Sequence, residues 1–177
     1  MKKYIRFYDD VLTSEQCQNI INKFHASDKL KPINEGLIKF TELNFSQAYP
    51  EENDNFVELF KYMLDVYKKD CQMTDVQFPS TFSFEEIRMK MYEPETDYFK
   101  EHVDCYNLES CKRFLVMFLY LDDNEEGMTE FPDFKIAIKP KAGRMVIFPP
   151  MWNYLHEAKK AISKPKYIIG SYLHYAI

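Results

Sequence analysis

Three residues of this chain have the types and spacing to hold a metal ion from one side. His102-Val103-Asp104 is an H-x-D. In a strand or at its edge, residues i and i+2 point the same way, so an imidazole and a carboxylate can converge there. His156 follows 54 residues later, after a further apolar stretch and Phe148-Pro149-Pro150. Two histidines and one carboxylate on one face of an ion form the triad of non-haem iron(II) oxygenases, which leaves three positions for a cosubstrate and O2.

Two further side chains suit an anionic cosubstrate. Lys166 stands ten residues after His156 and opens the last apolar stretch. A lysine buried there needs an anion, because an unpaired ammonium is costly away from water. Tyr120 lies in the run Phe114–Leu121, FLVMFLYL, where a hydroxyl also needs a partner. The far carboxylate of 2-oxoglutarate would satisfy both. Trp152 and Tyr154 flank the second histidine and could wall an apolar substrate, although filling the core is an equal use for them. His25 and His174 read as structural.

These groups need a scaffold, and its pattern changes along the chain. Thr13-Ser14-Glu15-Gln16 is a capping box opening a helix whose apolar face is Cys17, Ile20, Ile21 and Phe24. A second helix is predicted from about Asn53, with Phe56, Val57, Phe60, Met63, Leu64 and Tyr67 as its stripe. Between them, residues 31–52 read as irregular, broken by Pro32, Gly36 and Pro50. From about residue 84 strands take over: Ile87, Met89 and Met91 alternate with polar neighbours, and further strands are predicted at Phe114–Leu121, Phe134–Ile138, Arg144–Phe148 and Tyr167–Tyr175. The expected architecture is one α+β domain over 1–177. Mainly helical support (1–83) is followed by a sandwich- or barrel-like β core (84–177). Residues 31–52 and the stretch 93–101 are candidate lids over a pocket.

Composition narrows the classes. With 177 residues, 46% hydrophobic and 29% charged, the chain suits one soluble globular domain. A net charge of -5 without a basic cluster argues against a nucleic-acid partner. Cys17, Cys71, Cys105 and Cys111 form no C-x-x-C pair, which favours neither zinc nor a disulfide framework and fits a reducing cytoplasm. The start MKKYIRFYDD lacks the apolar run of a signal peptide, and no stretch approaches the roughly 18 apolar residues that span a membrane.

Residues from about 84 to 175 resemble the prolyl 4-hydroxylase branch of the Fe(II)/2-oxoglutarate dioxygenases. The matching pieces, in order, are Tyr92-Glu93-Pro94 and Tyr98, His102-x-Asp104, Arg113 leading to Leu119-Tyr120-Leu121, Gly127 to Phe131, Lys139 to Gly143, His156-Glu157 and Lys166-Tyr167. Two places depart from the family: Glu95 where Gly is common, and Glu126-Gly127-Met128-Thr129 where Gly-Gly-Glu-Thr is common. The resemblance implies a double-stranded β-helix, or jelly-roll, with N-terminal helices. It implies iron ligation by His102, Asp104 and His156, and Lys166 with Tyr120 on the far carboxylate of 2-oxoglutarate. Tyr92 would face that cosubstrate, and Arg113 would meet substrate at the mouth. The implied reaction couples oxidative decarboxylation of 2-oxoglutarate by O2 to C–H hydroxylation, with ascorbate as a possible reductant. The implied substrate is a prolyl residue of a peptide or protein, as for procollagen-proline 4-dioxygenases. Two alternatives stay open: a hydroxylase of a free amino acid, small metabolite or nucleobase, and a catalytically silent jelly-roll that only binds.

Overall fold

The computed structural model describes residues 2–176. Its first helix, α1 (Ser14–Ala26), begins at the predicted capping box: Thr13 Oγ1 accepts from Gln16 N at 3.2 Å, and Gln16 Oε1 accepts from Thr13 N at 2.8 Å. The buried face is Cys17, Ile20, Ile21 and Phe24. After the one-turn helix α2 (Phe45–Ala48) comes α3 (Pro50–Asp70), which buries Phe56, Phe60, Met63, Leu64 and Tyr67. It starts three residues before the predicted Asn53. Pro50 takes the first helical turn, where its missing N–H costs nothing, and Glu51 and Glu52 suit the helix N-terminus. Each fully buried aromatic here, such as Phe24 or Phe60, contributes about 1.5–3 kcal/mol.

The stretch 31–52 is not irregular. Lys31–Glu35 and Ile38–Asn44 form a hairpin, here β2 and β3, preceded in the chain by the short strand β1 (Arg6–Tyr8). Gly36, with φ +54, is the first of the two residues between the paired Glu35 and Ile38. A two-residue hairpin turn asks for that conformation, so the glycine is a turn residue and not a helix breaker. Pro32 is tolerated because β2 pairs only with β3 and is an edge.

The remaining strands are β4 (Phe82–Phe84), β5 (Arg88–Tyr92), β6 (Tyr98–His102), β7 (Arg113–Tyr120), β8 (Thr129–Phe131), β9 (Ile136–Ile138), β10 (Met145–Phe148), β11 (His156–Ala158) and β12 (Lys166–Tyr175). All pairings are antiparallel, in the path β1-β10-β7-β12-β5-β3-β6-β11-β8-β9, with β2 added to β3 and β4 to β12. The path turns a corner at β3, whose Thr41–Asn44 pair β5 while Ile38 and Lys39 pair β6. The result is a nearly closed, barrel-like jelly-roll with three helices, the predicted fold class. Two local expectations change. Part of the candidate lid 93–101 is strand β6, and Pro132–Phe134 form a 3-10 turn, with Lys135 left-handed at φ +53, so that β9 starts only at Ile136.

The continuous apolar run of β7 follows from burial on both faces. Leu115, Met117 and Leu119 join Tyr167, Ile169 and Leu173 of β12 in the core under α1 and α3. Val116 and Tyr120 point the other way, into the barrel, with Phe131, Phe148 and Tyr154. Alternation therefore hands the even-numbered residues of β12, Lys166 and Tyr172 among them, to the barrel interior.

Candidate active site

His102 and His156 are cross-strand partners at the junction of β6 and β11. Their rings lie 4.2 Å apart, centroid to centroid. Asp104, just past β6, is held by its backbone: its N–H donates to Pro150 O at 3.1 Å, and its carbonyl accepts from Arg113 Nη1 at 3.2 Å. His102 Nε2 stands 3.8 Å from Asp104 Oδ1, and His156 Nε2 3.3 Å from Asp104 Oδ2. One ligand atom from each residue falls within 4.8 Å of the others.

The surroundings suit a metal. Each imidazole uses Nδ1 on the backbone carbonyl two residues earlier, His102 on Lys100 O at 2.7 Å and His156 on Tyr154 O at 3.0 Å. Donation from Nδ1–H leaves the Nε2 lone pair facing Asp104, the tautomer a ligand needs. Burial, and then the neighbouring His156, push His102 down to about 3, so its ring stays neutral. Asp104 Oδ2 is buried and, among the described residues, has no hydrogen-bond partner. A buried carboxylate oxygen without a donor is costly, and a cation at the centre of the triad would satisfy it. The residues present therefore fit a divalent metal ion.

Tyr172 was missed in the sequence. Its hydroxyl donates to Asp104 Oδ1 at 2.7 Å, and its ring lies under the Arg113 guanidinium at 3.9 Å. Arg113 in turn donates to both oxygens of Glu85, at 2.7 and 2.9 Å. Glu85, Arg113, Tyr172 and Asp104 thus form one chain of contacts beside the metal face. The even-numbered alternation of β12 was the available signal for Tyr172. The long separation of Glu85 from Arg113 carried none.

At the other end of the barrel, Lys166 is 1% exposed. Its Nζ donates to Gly127 O at 3.0 Å and Lys159 O at 3.2 Å, and lies 4.5 Å from the Tyr92 ring centroid. Burial pushes its ammonium down to about 7, with Asp122 offsetting only part of that. The Tyr120 hydroxyl meets Thr129 Oγ1 at 2.5 Å, a partner not foreseen, and donates to Ile138 O at 3.3 Å. Lys166 and Tyr92 are themselves cross-strand partners.

Above the triad opens a cavity of about 760 Å³. Its wall includes Glu35 and Leu37 from the β2–β3 hairpin, Phe99, Tyr106 and Arg113. Trp152 is 83% exposed and does not line this cavity, while Tyr154 is buried in the barrel against Phe134. His25 and His174 lie away from the triad, His25 on Tyr167 Oη at 2.8 Å and His174 on Ser83 Oγ at 3.3 Å. In the turn Asp122–Glu126, Asn124 is buried and donates to Lys164 O at 3.1 Å.

A jelly-roll with two histidines and a carboxylate at its mouth defines an iron oxygenase scaffold. Residues 87–174 match the family model of the 2OG-Fe(II) oxygenase superfamily, and the chain belongs to that superfamily, with Fe(II) as its metal and 2-oxoglutarate as its cosubstrate. No curated protein sequence matches it. Among solved structures, it is similar to the viral collagen prolyl hydroxylase of Paramecium bursaria Chlorella virus-1, solved as a 2OG complex (TM-score 0.74, 21% identity, 98% of this chain and 97% of that one). It is also similar to a Pseudomonas putida prolyl-4-hydroxylase (TM-score 0.70, 13% identity, 99% and 94%). A third is a Trichoplax adhaerens prolyl hydroxylase in complex with a hypoxia inducible factor peptide fragment (TM-score 0.70, 13% identity, 97% and 84%). At these identities the likeness is one of fold.

Proposed function

We propose that the chain hydroxylates a prolyl residue in a peptide or protein, with residues 1–177 acting as one domain. The observation that carries this reading is the open cavity above the triad, bordered by a hairpin and by the exposed side chains Leu37 and Tyr106. Such a rim can accept a chain on either side of the reacting residue. The resemblance of the motifs from Tyr92 to Lys166, and the prolyl hydroxylases among the structural neighbours, support the same substrate.

In this reading His102, Asp104 and His156 hold Fe(II), and Tyr172 keeps the Asp104 carboxylate oriented and charged by donating to Oδ1. The bound iron, with 2-oxoglutarate and O2, supplies the oxidising chemistry that the side chains lack. Lys166 receives the far carboxylate of 2-oxoglutarate, exchanging a carbonyl contact for a charge pair, while Tyr120 and Tyr92 border that end. Arg113, fixed by Glu85, stands at the mouth and guides substrate. Trp152, on the turn whose Pro150 carbonyl receives the Asp104 N–H, offers an apolar contact outside the cavity. Ascorbate would serve as reductant. The four free thiols fit the cytoplasm.

The test is succinate formation by the protein with Fe(II), O2, ascorbate and 2-oxoglutarate, with and without proline-rich peptides. Peptide-stimulated succinate with one added oxygen on proline is the expected result. Succinate that no peptide stimulates moves the substrate to a small molecule. No succinate and no 2-oxoglutarate binding would leave a silent jelly-roll.

A further inference from the structure

The cavity above the triad contains two cations already matched by carboxylates. Arg88 Nη1 lies 2.9 Å from Glu42 Oε1, and Arg113 is held in two contacts by Glu85. A third cation, Lys90, is different. It lies on β5, two residues from Tyr92, and its side chain lines the same cavity. Its Nζ sits 4.8 Å from the Phe40 ring centroid and 5.4 Å from that of Phe99. Among the described residues no carboxylate lies within ion-pair distance of it and no hydrogen bond reaches it; its interactions with Glu42 and Asp104 are longer-range. Glu42 is engaged by Arg88, and Asp104 belongs to the triad.

An ammonium lifted from bulk water onto two aromatic faces keeps part of its solvation as cation–π attraction. It has no protein acceptor among the described residues, so its remaining hydrogen bonds go to whatever occupies the cavity, and an anionic ligand would pair with it. Position tells which ligand. Phe40 and Phe99 both line the outer cavity, and Phe99 stacks on His102 with ring centroids 3.4 Å apart. Lys90 therefore borders the space next to the metal face, and also a small inner pocket beside Val116, Phe118 and Tyr172. The cosubstrate's far end is served by a separate cation, Lys166, paired in register with Tyr92 and not with Lys90.

We propose that Lys90 selects a substrate bearing a carboxylate close to the carbon that is hydroxylated. This rests on the prolyl reading of the site and narrows it. The target proline either carries a free terminal carboxylate or stands beside an acidic side chain. Lys90 pairs with that group and holds the ring over the triad.

The test measures binding of fluorescently labelled proline peptides by anisotropy, with 2-oxoglutarate and Mn(II) in place of Fe(II) so that no turnover intervenes. Four peptides are compared: one ending in free proline, the same peptide amidated, one with internal proline beside Asp, and its counterpart with Asn. Binding is expected to be at least tenfold tighter for a carboxylate-bearing member than for its neutral partner, and the arms show whether the terminal or the side-chain carboxylate is read. Lys90→Met should remove that preference without weakening the neutral peptide, and Lys90→Arg should restore it. Equal affinity for charged and neutral peptides in the native protein would overturn the proposal. So would a Lys90→Met variant that weakens 2-oxoglutarate binding and leaves the peptide preference intact, since the cation would then serve the cosubstrate. Product analysis with Fe(II) separates the two readings. Neutral proline peptides hydroxylated as well as acidic ones would sink the role of Lys90 and keep prolyl hydroxylation. Lys90-dependent carboxylate binding without oxygen on proline would do the reverse.

Discussion

His102 and His156 face each other across an antiparallel strand pair, 54 residues apart in sequence and in direct register. Side chains at such positions lie closer than any spacing within one strand allows. A one-residue slip of β11 would turn His156 out of the site and Glu157 in. The register of one short, three-residue strand thus decides whether the metal face exists.

Removing a ligand tests this directly. His102→Ala or Asp104→Ala should abolish succinate formation and Mn(II) binding while far-UV circular dichroism stays native. Retained turnover in His102→Ala would discard the triad.

Tyr172→Phe keeps the ring beneath Arg113 and deletes only the hydrogen bond to Asp104 Oδ1. Metal affinity should fall by about 10–100-fold, the usual cost of losing a group that orients a ligand. Competition with a fluorescent chelator reads it. Unchanged affinity would mean that the Asp104 backbone contacts suffice for its orientation.

Lys166 predicts a pH dependence. Its folded-state value near 7 lies below the ordinary lysine value, and only the protonated form can pair with a carboxylate. Affinity for 2-oxoglutarate should therefore be full below about pH 7. It should then weaken by about tenfold per unit above it, until the ligand-bound ammonium itself titrates. Lys166→Arg should flatten the profile, because guanidinium stays charged throughout. A flat profile in the native protein, measured by calorimetry from pH 6 to 9, would remove Lys166 from the anchor.

Gly143 should be irreplaceable for stability. Its φ is +75, and an added Cβ would fall 2.0 Å from Leu12 O, on backbone that cannot swing aside. Gly143→Ala should cost about 1–3 kcal/mol or more in urea unfolding, with the metal site unaffected in whatever folds. A loss under about 0.5 kcal/mol would show that this turn relaxes freely.

Much of this protein is legible in its residues alone, wherever the governing physics is local. The capping box at Thr13 and Gln16 names the start of α1, and the apolar stripe from Phe56 to Tyr67 names the buried face of α3. The run Phe114–Leu121 announces a strand covered on both sides, because only double burial removes the polar alternation. The H-x-D, the later histidine and the lysine ten residues beyond supply ligand types in an order that resembles one family. What depended on pairing was decided by the tertiary structure. Pro32 and Gly36 look like breakers until β2 is seen to lie at an edge with Gly36 in its turn. Tyr172 looks like one more aromatic until β12 brings its hydroxyl to Asp104, 68 residues away in sequence. Lys90 looks like the polar half of a strand alternation until the curled sheet turns it inward onto Phe40 and Phe99. Local periodicity fixes which residues share a face, but closure of the barrel determines what that face meets, and closure is the sum of contacts between residues far apart in the chain.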